Sequence, residues 1–277
     1  MAMANRASKA QSTEVAYTSS IPNSFPPDQQ ALFREVLASF EELGLPYAVA
    51  GAFALQKHTG IFRSTKDLDI FLTAESAGIA LRELKGKDFQ CEICDPVWLA
   101  KVHRDEYFVD LITGMSNGAI TVEKTWIERA QPANILGVRT QILAPEEVLA
   151  SKLFVTRRER FDGADIAHII YALKGDLDWD RILKLAGDHW ELVLWNVMLF
   201  RYVYPAHIEF IPRTVWSDLL RRVAEQDRAP SKNAKFRGSL VDDAMFAIDV
   251  EEWGLENVLS DYQKRTTKIQ EKTNSHV

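Results

Sequence analysis

The stretch Asp67-Leu-Asp-Ile-Phe-Leu72 constrains this chain more than any other. Its first four residues alternate acidic and apolar with period two, the pattern of a strand with one face in a core and the other open. Asp67 and Asp69 then project side by side from one face, while Leu68 and Ile70 point into the core. Like charges held that close repel, which costs stability unless a cation sits between them. The fold therefore needs a sheet with one covered face and one face that meets a cation.

Tyr107-Phe-Val-Asp-Leu-Ile112 poses the same problem again. An aspartate inside an apolar strand calls for a partner. If this strand pairs beside residues 67–72, Asp110 completes a three-carboxylate cluster. Hard oxygen ligands suit Mg²⁺, or Mn²⁺ in its place. Three such ligands can hold two ions about 3.5–4 Å apart, the clamp used for phosphoryl transfer.

Around these strands the pattern is mixed. Leu32, Phe33, Val36, Leu37, Phe40 and Leu43 predict a helix over 28–43, stopped by Gly44 and Pro46. A short apolar strand follows at 47–50, then Gly51 and a helix over 52–58. Further elements are a helix over 74–84, strands over 88–93 and 107–112, and a strand over 133–143 that can turn as a hairpin at Gly137. After Pro145 helical periodicity takes over, at 146–158, 164–173, 178–186, 191–204, 214–226 and 239–253. The expected fold is α+β: a loose tail over 1–24, a small mixed-sheet domain over 25–144, and a helical bundle over 145–277 with a frayed end.

The 277 residues carry a net charge of −6, which gives no global attraction to a phosphate backbone. Two cysteines cannot staple a secreted scaffold of this length. No apolar run is long enough to span a bilayer, so the expectation is a cytoplasmic protein without a membrane partner. Cys91 and Cys94 have metal-knuckle spacing but lack a second pair, and the six histidines show no paired ligand spacing. Walker A, GxGxxG and GxSxG patterns are missing. The Trp and Phe residues between Trp190 and Trp216 suit a bundle core, and the Arg221-Arg222 and Lys232–Arg237 charges suit a solvated face that an RNA can also touch.

Gly51 sits where a strand turns into a helix, where backbone N–H groups can face a phosphate and a missing side chain allows close approach. The order strand, Gly turn, helix, Asp-x-Asp strand and later apolar–Asp–apolar strand resembles the nucleotidyltransferase superfamily typified by DNA polymerase β. The resemblance spans about residues 45–115. It implies that Gly51 matches the first residue of the family's Gly pair, that Asp67 and Asp69 are the paired metal ligands, and that Asp110 is the third carboxylate. The second family position, usually Gly or Ser, is Ala52.

Further on, Lys152 lies among Val148, Leu149, Leu153 and Val155 on one helical arc. A lysine there either snorkels outward or reaches an anionic partner such as a phosphate. Lys152, Arg160, Asp162 and Asp165 look like the Lys–Arg–Asp–Asp segment of AbiEii-type nucleotidyltransferases, abortive-infection and toxin–antitoxin toxins, with Phe161 where a basic residue is usual.

The resemblance implies an enzyme that moves a nucleoside monophosphate from an NTP to an acceptor hydroxyl and releases pyrophosphate. The acceptor would be tRNA, a small molecule or a protein, and an antitoxin would be a partner. Asp67, Asp69 and Asp110 would be catalytic and metal-binding; Gly51, Ala52, Arg63, Lys152, Arg160 and Asp165 would bind nucleotide. The alternative is a module of the same fold that binds nucleotide or a partner without turnover.

Overall fold

A computed structural model describes residues 25–271 except 88, 267 and 270. The expected tail over 1–24, the first residue of the strand expected at 88–93, and most of the chain beyond 266 lie outside the described residues.

Seven strands build one mixed sheet: β1 (Ala48–Val49), β2 (Asp67–Phe71), β3 (Gln90–Asp95), β4 (Leu99–Arg104), β5 (Tyr107–Ile112), β6 (Gln131–Ile135) and β7 (Val138–Ile142). Their spatial order is β3-β4-β5-β2-β1-β7-β6. The β2–β5 and β1–β7 pairs are parallel and the rest antiparallel. The alternation in β2 resolves as expected, with Leu68 and Ile70 fully buried and Asp67 and Asp69 half-buried on the other face.

Helices α1 (Pro27–Glu42) and α3 (Ala74–Lys85) cover the apolar face, α1 across β5 and β7 and α3 behind β3 and β4. Proline suits the first turn of α1, where its missing N–H has no intrahelical acceptor anyway. The five predicted contact residues from Leu32 to Phe40 are all fully buried. The expected hairpin at Gly137 is present. Leu136 and Gly137 both have positive φ, the geometry of a two-residue turn that matches strand twist, and Asn134 Oδ1 accepts from Gly137 N at 3.0 Å.

Between these lies α2 (Gly51–Thr59), which follows β1 directly and packs on β2, on α5 (Pro145–Lys152) and on α6 (Gly163–Ala172). It joins the sheet to the helices of the second half: α7 (Trp179–Ala186), α8 (Trp190–Val203) and α9 (Arg213–Arg228). One apolar cluster runs without a break from α1 through the sheet to Val197 and Phe200. Among the described residues no helix is long and apolar enough to cross a membrane.

Three expectations need correction. The helix expected over 146–158 stops at Lys152, and the chain folds back on itself through a Thr156–Phe161 bridge and Asp162 N→Val155 O at 2.9 Å. The helix expected over 239–253 divides into α10 (Gly238–Val241) and α11 (Ala247–Glu251). Between them the Asp242 carboxylate accepts from the backbone N–H groups of Ala244, Met245 and, across the chain, Arg158, a local alternative to helix bonding. The Trp and Phe residues between Trp190 and Trp216 are not all core: Trp195 is exposed, in one stripe on α8 with Met198 and Tyr202.

Strand β4 and a short helix, α4 (Lys124–Glu128), were not legible in the sequence. Helix α12 (Leu259–Arg265) brings the chain back to the loop that follows β5, where Gln263 donates to Ser116 O and Thr266 to Gly118 O, both at 3.3 Å.

Candidate active site

Register brings the acids together. In the parallel β2–β5 pair Asp69 lies directly opposite Asp110, and Asp67 is two residues along on the same face. One ligand oxygen from each of the three lies within 4.8 Å of the others, and no other cluster of metal-ligand side chains is found among the described residues. Cys91 is half-buried against the core and Cys94 is exposed; both are free thiols.

Gly51 is fixed by its neighbour. Its φ is +54°, and a Cβ there would lie 1.7 Å from Asp69 Oδ2, so an L side chain is excluded by both backbone and space. The turn is pinned to the strand by Ala50 N→Asp69 O at 2.9 Å. At the first turn of α2, backbone N–H groups have no intrahelical acceptor, and Gly51 and Ala52 line the cavity beside the acids.

The acids are electrostatically strained. Burial, then the nearby Asp67 and Asp110 charges, push the Asp69 carboxyl up to about 7. Burial also raises Asp110, opposed by the Lys101 ammonium, whose Nζ lies 2.6 Å from Asp110 Oδ1. Thr65 Oγ1 donates to Asp67 Oδ1. Three converging hard oxygen donors with a surplus of negative charge fit a divalent cation, and Asp67, Asp69 and Asp110 would hold it.

The facing wall of the same cavity, of about 510 Å³, carries Arg63, Lys152, Arg160, Asp162 and Asp165. All of the sequence-predicted site residues therefore line one space. Lys152 neither snorkels nor stands free. It is only 8% exposed, and its ammonium lies 2.8 Å from Asp162 and 2.9 Å from Asp165. Arg63 reaches Asp165 at 2.6 Å, and Arg160 grips both oxygens of Asp162 at 3.1 Å. Burial alone would raise the Asp162 carboxyl; Arg160 and Lys152 overcome it and hold it below its ordinary value.

Sequence reasoning missed Lys101 and Thr65. Thr65 is two residues before Asp67, within reach of a local side-chain bond. Lys101 has no readable signal, because the strand that carries it lacks clean alternation.

A family model described as a nucleotidyl transferase of unknown function (DUF2204) matches residues 29–189. No curated protein matches the chain significantly. Among solved structures, an antigenic nucleotidyltransferase-like protein from Paracoccidioides brasiliensis is 17% identical, covering 67% of this chain and 94% of its own, with a TM-score of 0.42. The antibiotic-resistance factor ANT(2'')-Ia is 16% identical over 65% of this chain and 94% of its own, TM-score 0.38. The lincomycin-bound lincosamide antibiotic adenylyltransferase LnuA is 14% identical over 51% and 95%, TM-score 0.36. The family match spans more than half of the chain, and the protein belongs to this nucleotidyl transferase family.

Proposed function

We propose that this nucleotidyl transferase moves a nucleoside monophosphate from an NTP to an acceptor hydroxyl and releases pyrophosphate. The observation that carries the reading is the meeting of Asp67, Asp69 and Asp110 at the Gly51 turn, inside one cavity with Arg63, Lys152 and Arg160. A bound Mg²⁺ or Mn²⁺ would supply charge neutralisation for the triphosphate and a lower pKa for the acceptor hydroxyl. The remaining roles belong to the chain. Gly51 and Ala52 offer backbone N–H groups to a phosphate. Arg63 and Arg160, both partly exposed, face the triphosphate, while Lys152 and Asp165 hold those arginines' wall in place. In this reading Asp110 also accepts the acceptor's proton, the role the family resemblance implies.

In this reading the chain works in the cytoplasm and divides at Pro145 into a nucleotidyltransferase unit and a helical unit. The resemblance of the Lys152–Asp165 stretch to AbiEii-type toxins supports a tRNA acceptor and an antitoxin partner; a small molecule or a protein hydroxyl fits the same chemistry. Incubation with each α-³²P-labelled NTP, Mg²⁺ and cell extract tests it. Label should arrive on one acceptor class and be lost in Asp67→Ala/Asp69→Ala.

One observation favours the alternative of a binding module without turnover: Lys152 is already neutralised by two carboxylates and has no free charge for a phosphate. Mg²⁺-dependent NTP binding with no pyrophosphate release selects that alternative.

A further inference from the structure

The acid cluster has a resident cation. Across β3, β4, β5 and β2 the register places Glu92, Lys101, Asp110 and Asp69 in one row, each directly opposite the next. Residues paired in this way share a face, so the row lies on the open side of the sheet. Lys101 Nζ sits 2.6 Å from Asp110 Oδ1, and it also lies 3.8 Å from the centroid of the Phe108 ring. The ammonium is therefore held both by charge and by an aromatic face. Its side chain is 22% exposed, against 13% for Asp110, which leaves it an open route away from the acid. Glu92, at the adjacent register position and largely exposed, is the next carboxylate along the row and lies 3.6 Å from His103 Nε2.

We propose that Lys101 is a built-in counter-ion that competes with a divalent cation for Asp110, so that without nucleotide the cluster offers a cation chiefly Asp67 and Asp69. The inference rests on the reading that the three acids bind divalent ions. An ammonium at Oδ1 neutralises Asp110 and occupies one of its two oxygens. A cation using that carboxylate must displace Lys101 or accept a weakened ligand. The lysine thus holds Asp110 in place in the substrate-free protein, and full engagement of the third acid waits for the extra negative charge of a triphosphate. Lys101 is a positioning residue in this scheme, since it acts through Asp110.

The sign of one measurement separates this from a simple prop. If Lys101 merely orients Asp110, removing it weakens cation binding; if it competes, removing it strengthens binding. Mn²⁺ titration of the full chain without nucleotide, followed by the electron paramagnetic resonance of free Mn²⁺, reads this directly. Lys101→Met is expected to bind Mn²⁺ about tenfold tighter than the parent, the scale of one neighbouring charge, and Lys101→Arg to stay near the parent. Lys101→Gln carries the same test if the Met variant does not fold.

The cycle with Asp110→Asn removes the ambiguity of long-range charge. In that background the Lys101→Met effect should vanish, whereas a diffuse field effect would persist and overturn the proposal. Equal or weaker Mn²⁺ binding in both Lys101→Met and Lys101→Gln also overturns it. Asp67→Asn/Asp69→Asn reports on the premise separately: undiminished Mn²⁺ binding there removes the metal reading itself.

Discussion

One cavity has two walls of opposite electrostatic design. On the sheet wall, Asp67, Asp69 and Asp110 converge with a single lysine among them, and Asp69 is forced up to about 7. On the helical wall, Lys152, Arg63 and Arg160 match Asp162 and Asp165 with four ion pairs of 3.1 Å or less. The first wall is left short of positive charge and is stabilised by whatever cation arrives. The second pairs both of its carboxylates without a ligand and, with three cations to two acids, keeps one positive charge in excess. Buried charges close to one another are therefore not equivalent evidence for a site; what distinguishes them is whether the structure already pairs them.

Removing one charge from each wall should break the comparison most clearly. Asp69→Asn is expected to lower nucleotidyl transfer on the order of 10²–10³-fold while leaving the fold intact. Label transfer and circular dichroism on the same samples check this, and wild-type turnover in the variant would sink the catalytic assignment. Lys152→Met should do the opposite, acting first on stability. It takes the shared buried cation from Asp162 and Asp165 and leaves each with one partly exposed arginine, at a cost of up to about 3–5 kcal/mol, read from urea unfolding.

Gly51→Ala tests how tightly the turn is built against the acid. The added methyl would overlap Asp69 Oδ2 and require strained backbone, so stability should fall by about 1–3 kcal/mol and Mn²⁺ binding should weaken with it. Calorimetric titration alongside thermal melting separates the two effects. Unchanged cation affinity would show that Asp69 moves aside freely.

A last test sharpens the contrast through pH. A folded Asp69 that keeps its proton to about 7, against an unfolded carboxyl near about 3.9, binds more protons folded than unfolded in that window. Metal-free protein should thus lose stability as pH rises from about 4 towards 7, fully so above the folded value. Mg²⁺, binding the ionised form, should restore it. Melting temperatures of the parent and Asp69→Asn across this range, with and without Mg²⁺, show whether the slope belongs to this residue.

Much of this was legible because strands and helices have short, rigid periods. The alternation at Asp67-Leu-Asp-Ile placed two acids on one face, Gly51 marked the turn, and Tyr107–Ile112 was bounded as it stands in the fold. Gly137 marked its hairpin for the same reason. The helix end at Lys152 was not legible, because apolar spacing continues through Leu153 and Val155 while the buried pairs with Asp162 and Asp165 require the chain to turn back. Leu99-Ala-Lys-Val-His-Arg104 also lacks clean alternation: Leu99 and Ala100 are both buried, and His103 and Arg104 end it with polar groups. No strand is legible there, and its lysine stays hidden with it.

The sequence by itself determined that Asp67 and Asp69 share a face, that a glycine precedes a helix beside them, and that helices dominate after Pro145. These follow from local geometry, where spacing along the chain is spacing in space. Only the tertiary structure decided that Asp110 stands opposite Asp69, that Lys101 stands opposite Asp110, and that Lys152 is spent on Asp162 and Asp165. Strand order and register are set by which faces can be buried together across the whole core. The pairing of each charge follows from that packing, which no local pattern encodes.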